Sequence, residues 1–289
     1  MSGEYRLTRR KQKNHTSKNR RRSRLNYKLG GQSNIEANVD IEKFIGRKHT
    51  EGPTEVSGVP LVIYRTWHTT KLPYKMKKVV DDSIIYTPEF DNHFFNLEDC
   101  EAFIKEHFEP NVVNAYNCLK PLSFKSDLWR FCILYIKGGV YIDIKFCFKR
   151  PLIDIVRNNP KIFVTKVKET MPQNQVVCGF LVSPPNNKVF RDCIDQIVLH
   201  CKNKDYTDDP LDVTGPRLLR NMLRKHESDE FLDSIPIKFD DPQTYYYNEE
   251  PLASEYKEYR KNQRNKSKLP YYGDMWLNKD VFDESIVFE

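Results

Sequence analysis

Four charged side chains lie close together in the middle of this chain: Asp127, Arg130, Asp143 and Lys145. Asp127 and Arg130 are three residues apart, so on a helix they share one face. There a carboxylate accepts hydroxyl groups while a guanidinium donates to hydroxyl or phosphate oxygens. Each such charge-assisted bond contributes about 1.5–3 kcal/mol. Asp143 sits in an apolar run, Val140 to Ile144. Burying a carboxylate there is costly unless a cation or hydrogen-bond donors meet it. Lys145 follows two residues later, which on a strand puts both side chains on one face. The plain structural alternative is an Asp127–Arg130 salt bridge and a capped Asp143.

The elements that must position these groups are legible in residues 123–148. Ser126 and Asp127 form a good helix N-cap pair. Trp129, Ile133, Leu134 and Ile136 follow at helical spacing. Gly138 and Gly139 end that helix, since glycine takes the left-handed C-cap geometry without steric cost. Val140, Ile142 and Ile144 then alternate with Tyr141, Asp143 and Lys145 at the period of a strand.

This helix, Gly-Gly turn and strand resemble the core motif of glycosyltransferase family 32, the DXD-containing sugar transferases that include fungal alpha-mannosyltransferases. Ser126, Asp127, Arg130, Leu134, Tyr135, Gly138, Gly139, Tyr141 and Asp143 fit the pattern. Lys145 stands where the second Asp is expected, a D-I-K variant similar to copies in large DNA viruses. Three further stretches are similar to family elements: Leu61–Thr69 around Trp67, the Thr214-Gly215-Pro216 triplet, and Tyr271–Trp276. The resemblance implies a GT-A-like α/β fold: one Rossmann-type domain over residues 58–289, with a mixed central sheet flanked by helices. It implies a retaining hexosyltransferase that moves sugar from a UDP- or GDP-sugar to a glycan or protein acceptor. Asp127, Arg130 and Asp143 are then the catalytic set. Trp67, Tyr135, Gly138, Gly139, Tyr141, Lys145, Asp274 and Trp276 are the donor-binding candidates. In the family the second Asp ligates a divalent ion, usually manganese. Here Asp143 is the remaining ligand, and Lys145 argues against a metal, because an ammonium has donors but no lone pair. The expectation is weak or no metal dependence, with Lys145 placing one positive charge against the leaving phosphate.

Composition sets the outer bounds. Of 289 residues, 39% are hydrophobic and 30% charged, which permits a folded core under a charged surface. The net charge of +7 comes from the start of the chain, where residues 1–31 hold eleven Lys or Arg against one Glu. Residues 1–57 read as a basic, disordered tail, with Ile35 to Glu51 as an amphipathic piece suited to packing on the domain. Residues 1–31 also suit contact with a polyanion. No apolar run is long enough to cross a membrane, and no signal peptide is visible. Seven scattered cysteines without a C-x-x-C suggest buried thiols in a reducing compartment, hence the cytoplasm, or a host's cytoplasm for a viral chain. Two readings compete with the transferase: an inactive sugar-nucleotide-binding domain, motivated by Lys145, and a nucleic-acid-binding protein, motivated by the tail.

Further along, the patterns predict strands at 61–64, 84–86, 162–166, 176–183 and 235–239. They predict helices at 96–108, 112–119, 189–201 and 217–223. Residues 245–247 read as loop, and the basic run 255–268 as exposed.

Overall fold

A computed structural model describes residues 37–45, 52–158, 163–167, 176–227, 237–240, 244–267 and 270–289. The first elements are β1 (Asn38–Asp40), β2 (Glu55–Val56), β3 (Val59–Pro60), β4 (Val62–Thr66), β5 (Lys71–Pro73) and α1 (Tyr74–Ser83). Next come β6 (Asp91–Phe95), α2 (Leu97–His107), α3 (Pro110–Cys118), α4 (Leu122–Lys137), β7 (Gly139–Ile142), β8 (Phe146–Phe148) and α5 (Ile153–Asn158). Then follow β9 (Phe163–Val167), β10 (Val176–Ser183), α6 (Lys188–Asn203), α7 (Pro210–Val213) and α8 (Pro216–His226). The chain closes with β11 (Ile237–Asp240), β12 (Thr244–Tyr247), β13 (Glu250–Glu255), α9 (Tyr259–Ser267) and α10 (Tyr272–Leu277).

Nine strands form one mixed sheet in the order β6-β4-β7-β10-β9-β11-β12-β13-β8. Strands β6, β4 and β7 run parallel, and β10 turns antiparallel against β7. Helices cover the faces, so this is the mixed α/β sheet with flanking helices expected from the sequence. On one face α4 buries Leu128, Phe131 and Leu134 in a cluster with Phe190 and Ile194 of α6 and Leu219 of α8. On the other, Val140, Ile142, Phe180 and Val182 pack with Phe146, Tyr245 and Leu252. Strand β7 is buried along its whole length, as a central strand covered on both faces should be.

Within the stretch 1–57, residues 38–45 lie against the domain. Strand β1 pairs with β5, Ile41 is buried, and Phe44 bridges to His93. Residues 1–36 and 46–51, with the basic run 1–31, lie outside the described residues.

Several local expectations are corrected. Helix α4 starts at Leu122 behind Pro121, so Ser126 and Asp127 sit in its second turn rather than capping it. Ser126 instead donates its hydroxyl to the Leu122 carbonyl. Strand β7 ends at Ile142, and Ile144-Lys145 form a turn, so Asp143 leaves the strand end instead of lying mid-strand. Ile84–Tyr86 is a 3-10 turn continuing from α1, with Ile85 exposed and the Thr87 amide bonded to the Ile84 carbonyl. Residues 245–247 belong to β12, held on both sides by β11 and β13. In the basic run 255–268, Lys257, Arg260 and Lys261 are exposed as expected, while Glu255 and Asn262 are buried and α9 occupies its centre.

Candidate active site

The neighbouring parallel strands β4 and β7 both end at one place. Trp67 and His68 leave the carboxyl end of β4, and Asp143 leaves that of β7. Open α/β sheets bind ligands at such ends. A cavity of about 530 Å³ opens there. Helix α4 supplies Asp127 and Arg130 to its wall, β10 supplies Cys178 and Gly179, and α9 supplies Tyr259 and Arg260.

Arg130 is the hub. Its Nη1 donates to the Cys178 carbonyl at 2.6 Å and its Nε to the Ser126 carbonyl at 3.2 Å. Its Nη2 lies 3.2 Å from Asp127 Oδ1 and 3.7 Å from Asp143 Oδ1. The guanidinium also sits 4.5 Å from the centre of the Tyr141 ring, a cation–π contact strengthened by burial. Asp127 Oδ2 accepts the Thr214 hydroxyl at 2.9 Å. Asp143 Oδ1 accepts the Tyr141 hydroxyl at 2.9 Å, and its backbone amide donates to the Gly179 carbonyl. The Asp143 side chain is 19% exposed, so a ligand in the cavity can reach it. Gly179 is required by close approach: a Cβ there would lie 2.9 Å from Asp143 Oδ2.

Lys145 is already paired. Its ammonium lies 2.7 Å from Glu255 Oε1 and 3.3 Å from Asp143 Oδ2. The Tyr245 hydroxyl donates to the same Glu255 oxygen at 3.2 Å. The sequence-based expectation has the lysine place its charge against a leaving phosphate; instead it is held between two acids. The fold brings in a second acid from β13, over a hundred residues away in sequence.

These contacts split the two aspartates. Burial pushes the Asp127 carboxyl up to about 6, with Arg130 and the Thr214 hydroxyl pulling the other way. Burial would also raise Asp143, but Lys145 and Arg130 overcome it and hold that carboxyl below its ordinary value. Arg130 stays a cation: burial works against it, while Tyr141, Asp127 and Asp143 raise its pKa.

The family resemblance implies a divalent ion, and the residues present do not fit one. Asp143 has Tyr141 on one oxygen and Lys145 near the other. Among the described residues no three His, Cys, Asp or Glu side chains are grouped to hold a metal.

Of the other sequence candidates, Trp67, Tyr141 and Lys145 line the cavity. Trp67 is buried beside Ile41, Leu72 and Met76, with its ring 6.0 Å from that of Tyr259. Its indole N–H has no protein acceptor. Tyr135, Gly138 and Gly139 lie away from the cavity. The two glycines join α4 to the amino end of β7, and both have positive φ. A Cβ on Gly138 would lie 2.6 Å from the Pro185 nitrogen. Tyr135 is half-buried near Phe108. Asp274 is exposed on α10, and the indole of Trp276 donates to the Tyr206 carbonyl, which fastens that helix. Sequence reasoning missed Glu255, Thr214 as the Asp127 partner, and the Tyr259-Arg260 wall. Thr214 had a signal in its Thr-Gly-Pro triplet. Glu255 had none, being one acid among many in a charged stretch.

Residues 65–175 match the family model described as the glycosyltransferase sugar-binding region containing a DXD motif. That stretch of the chain is similar to the DXD-type glycosyltransferases. The chain is 23% identical over 181 residues to an uncharacterised glycosyltransferase of Acanthamoeba polyphaga mimivirus, covering 62% of this chain and 70% of that one. It is 25% identical over 113 residues to the initiation-specific alpha-1,6-mannosyltransferase of Candida albicans, covering 37% of this chain and 29% of that protein. An inositol phosphoceramide mannosyltransferase of Schizosaccharomyces pombe matches at 24% identity, over 45% of this chain and 35% of its own length. The chain thus spans well under half of these fungal relatives. Among solved structures, the PaToxG glycosyltransferase aligns at TM-score 0.49 and 14% identity, over 77% of this chain and 85% of that chain. Of the motif residues, Ser126, Asp127, Arg130, Tyr141 and Asp143 line one cavity, while Leu134, Tyr135 and the Gly-Gly turn do not. No helix among the described residues is long and apolar enough to cross a membrane.

Proposed function

We propose that this glycosyltransferase binds a UDP- or GDP-hexose in the cavity at the ends of β4 and β7 and transfers the sugar with retention. The acceptor is a hydroxyl of a glycan or protein. The observation that carries the reading is the buried Asp127–Arg130–Asp143 cluster, whose two carboxylates both line a cavity of about 530 Å³, within the size range of small-molecule sites. Asp143 and Asp127 accept sugar or ribose hydroxyls, and Arg130 holds both carboxylates in place while donating to a donor oxygen. Trp67 forms a wall and offers its free indole N–H. Arg260, exposed at the cavity, is suited to face the diphosphate.

In the reaction the bond between the anomeric carbon and the phosphate oxygen breaks, and its electron pair stays on the departing diphosphate. The acceptor oxygen bonds to the same face of the anomeric carbon, and its proton passes to the departing phosphate oxygen. No protein nucleophile is needed. What the protein supplies is fixed positive potential and an oriented sugar. The two fungal relatives named above are mannosyltransferases by name, which makes a GDP-hexose the first donor to try. All seven cysteines are free thiols, which suits a reducing, cytoplasmic setting. Contact of residues 1–31 with polyanions remains part of this proposal.

The test is slow hydrolysis across a panel of nucleotide sugars with purified protein. Release of nucleoside diphosphate from one or a few donors is expected. Neither binding nor hydrolysis with any member would overturn the reading.

A further inference from the structure

We propose that the Lys145 ammonium, anchored by Glu255, is a built-in cation that takes the place of a divalent metal in this donor site, so that the transferase works without one. The inference rests on reading the cavity as the donor site, and it departs from the second Asp that the DXD pattern supplies.

Geometry carries it. The Lys145 ammonium bridges two acids, at 3.3 Å from Asp143 Oδ2 and 2.7 Å from Glu255 Oε1. The side chains of Lys145 and Glu255 are 8% and 5% exposed, so neither belongs to a solvated surface pair. The Tyr259 ring faces the ammonium with its centre 5.4 Å away. The ammonium therefore has a carboxylate, a second carboxylate and a π-face around it, which matches its three donors.

The backbone holds this arrangement. Strand β13 pairs with β8 in a register that sets Glu255 opposite Phe146, and the Tyr256 amide donates to the Lys145 carbonyl at 2.8 Å. Glu255 is further fixed by the Tyr245 hydroxyl. The lysine and its acid are thus delivered together by one strand pair. A metal would need the oxygens that the ammonium already holds, and would meet a like charge at close range. Positive potential for the diphosphate then comes from Arg130 and from Arg260 on α9, whose side chain remains exposed at the cavity.

Two measurements test this, and the first needs no donor. Manganese is titrated calorimetrically into the wild-type chain, Lys145→Asp and Lys145→Asn, with melting curves to confirm folding. The wild type should show no saturable binding, and the variants should gain it at Asp143 and Glu255. Saturable binding by the wild type that disappears in Asp143→Ala would overturn the proposal. So would absence of binding in every folded variant, since no cation seat would then exist. If neither variant folds, the second measurement decides: wild-type donor turnover in excess chelator, with and without added manganese. It should agree within about twofold, where removing a catalytic metal would lower it by a hundredfold or more. Turnover lost in chelator and restored by manganese overturns the proposal. A wild type that turns over no donor at all counts against the donor-site reading, and the titration then decides the cation seat by itself.

Discussion

The Asp127 carboxyl should give donor turnover an acid limb near pH 6. Burial raises it to about 6, despite Arg130 and Thr214. At its ordinary value near 3.9 the group would be almost fully ionised at pH 5. At about 6 it is roughly nine-tenths ionised at pH 7 and one-tenth at pH 5. Turnover that needs the carboxylate should therefore fall about tenfold between those pH values. Asp127→Asn keeps the size and the Thr214 partner but removes the proton. Its turnover should be lower throughout, with no inflection near 6. Stability has its own sign. A carboxyl raised on folding binds its proton more tightly in the native state. Its contribution is greatest below the unfolded value and is lost as pH rises towards about 6. Two pKa units correspond to about 3 kcal/mol at most. Asp143 works in the other direction, because its lowered value is lost as stabilisation when pH falls. The single variant separates them. Hydrolysis profiles from pH 5 to 8 and urea melts at both ends, for wild type and Asp127→Asn, give the answer. An unchanged inflection in Asp127→Asn would refute the assignment, as would a flat wild-type profile.

Three other perturbations probe different links. Arg130→Lys cannot reach both backbone carbonyls and both carboxylates, because a point charge replaces a planar fork. It should lose about 2–3 kcal/mol in a urea melt and about a hundredfold in turnover, and full activity would make Arg130 idle. Gly179→Ala puts a methyl 2.9 Å from Asp143 Oδ2. Displacing that carboxylate should lower turnover up to about a hundredfold while the melting temperature moves little, and normal kinetics would show that its position does not matter. Removing residues 1–57 deletes β1 and buried Ile41, which packs with Leu72 and Met76. Burial of one such side chain is worth about 1.5–3 kcal/mol. That truncation should therefore melt below one ending at residue 36, and equal melting temperatures would contradict the packing.

What could be read in advance was local. The α4 apolar face, the Gly-Gly turn and the β7 run are neighbours in sequence, so periodicity and turn chemistry located them. Asp127, Arg130 and Asp143 were singled out by the motif resemblance together with their spacing, and the fold brings the three side chains together. The partners were not legible, because they come from distant strands. Glu255 reaches Lys145 only through the β13–β8 register, and Thr214 reaches Asp127 only through the placement of α7 and α8. The helix start was misjudged for a related reason. Ser126-Asp127 reads as a cap from side-chain type alone, whereas the helix begins four residues before Ser126, at Leu122 behind Pro121, and the aspartate is buried by its tertiary partners. Residues 245–247 read as loop because three tyrosines in a charged region show no alternation, yet strands on either side supply their ladder.

The central claim is that the Asp143 carboxylate, at the open end of the Arg130 cluster, grips a nucleotide-sugar donor for transfer. The most direct measurement is donor hydrolysis by wild type and Asp143→Ala, side by side with their melting curves. The account predicts a folded variant whose turnover is lower by at least ~100-fold, the scale of losing one preorganised transition-state contact. A folded Asp143→Ala that turns over donor at the wild-type rate would contradict it.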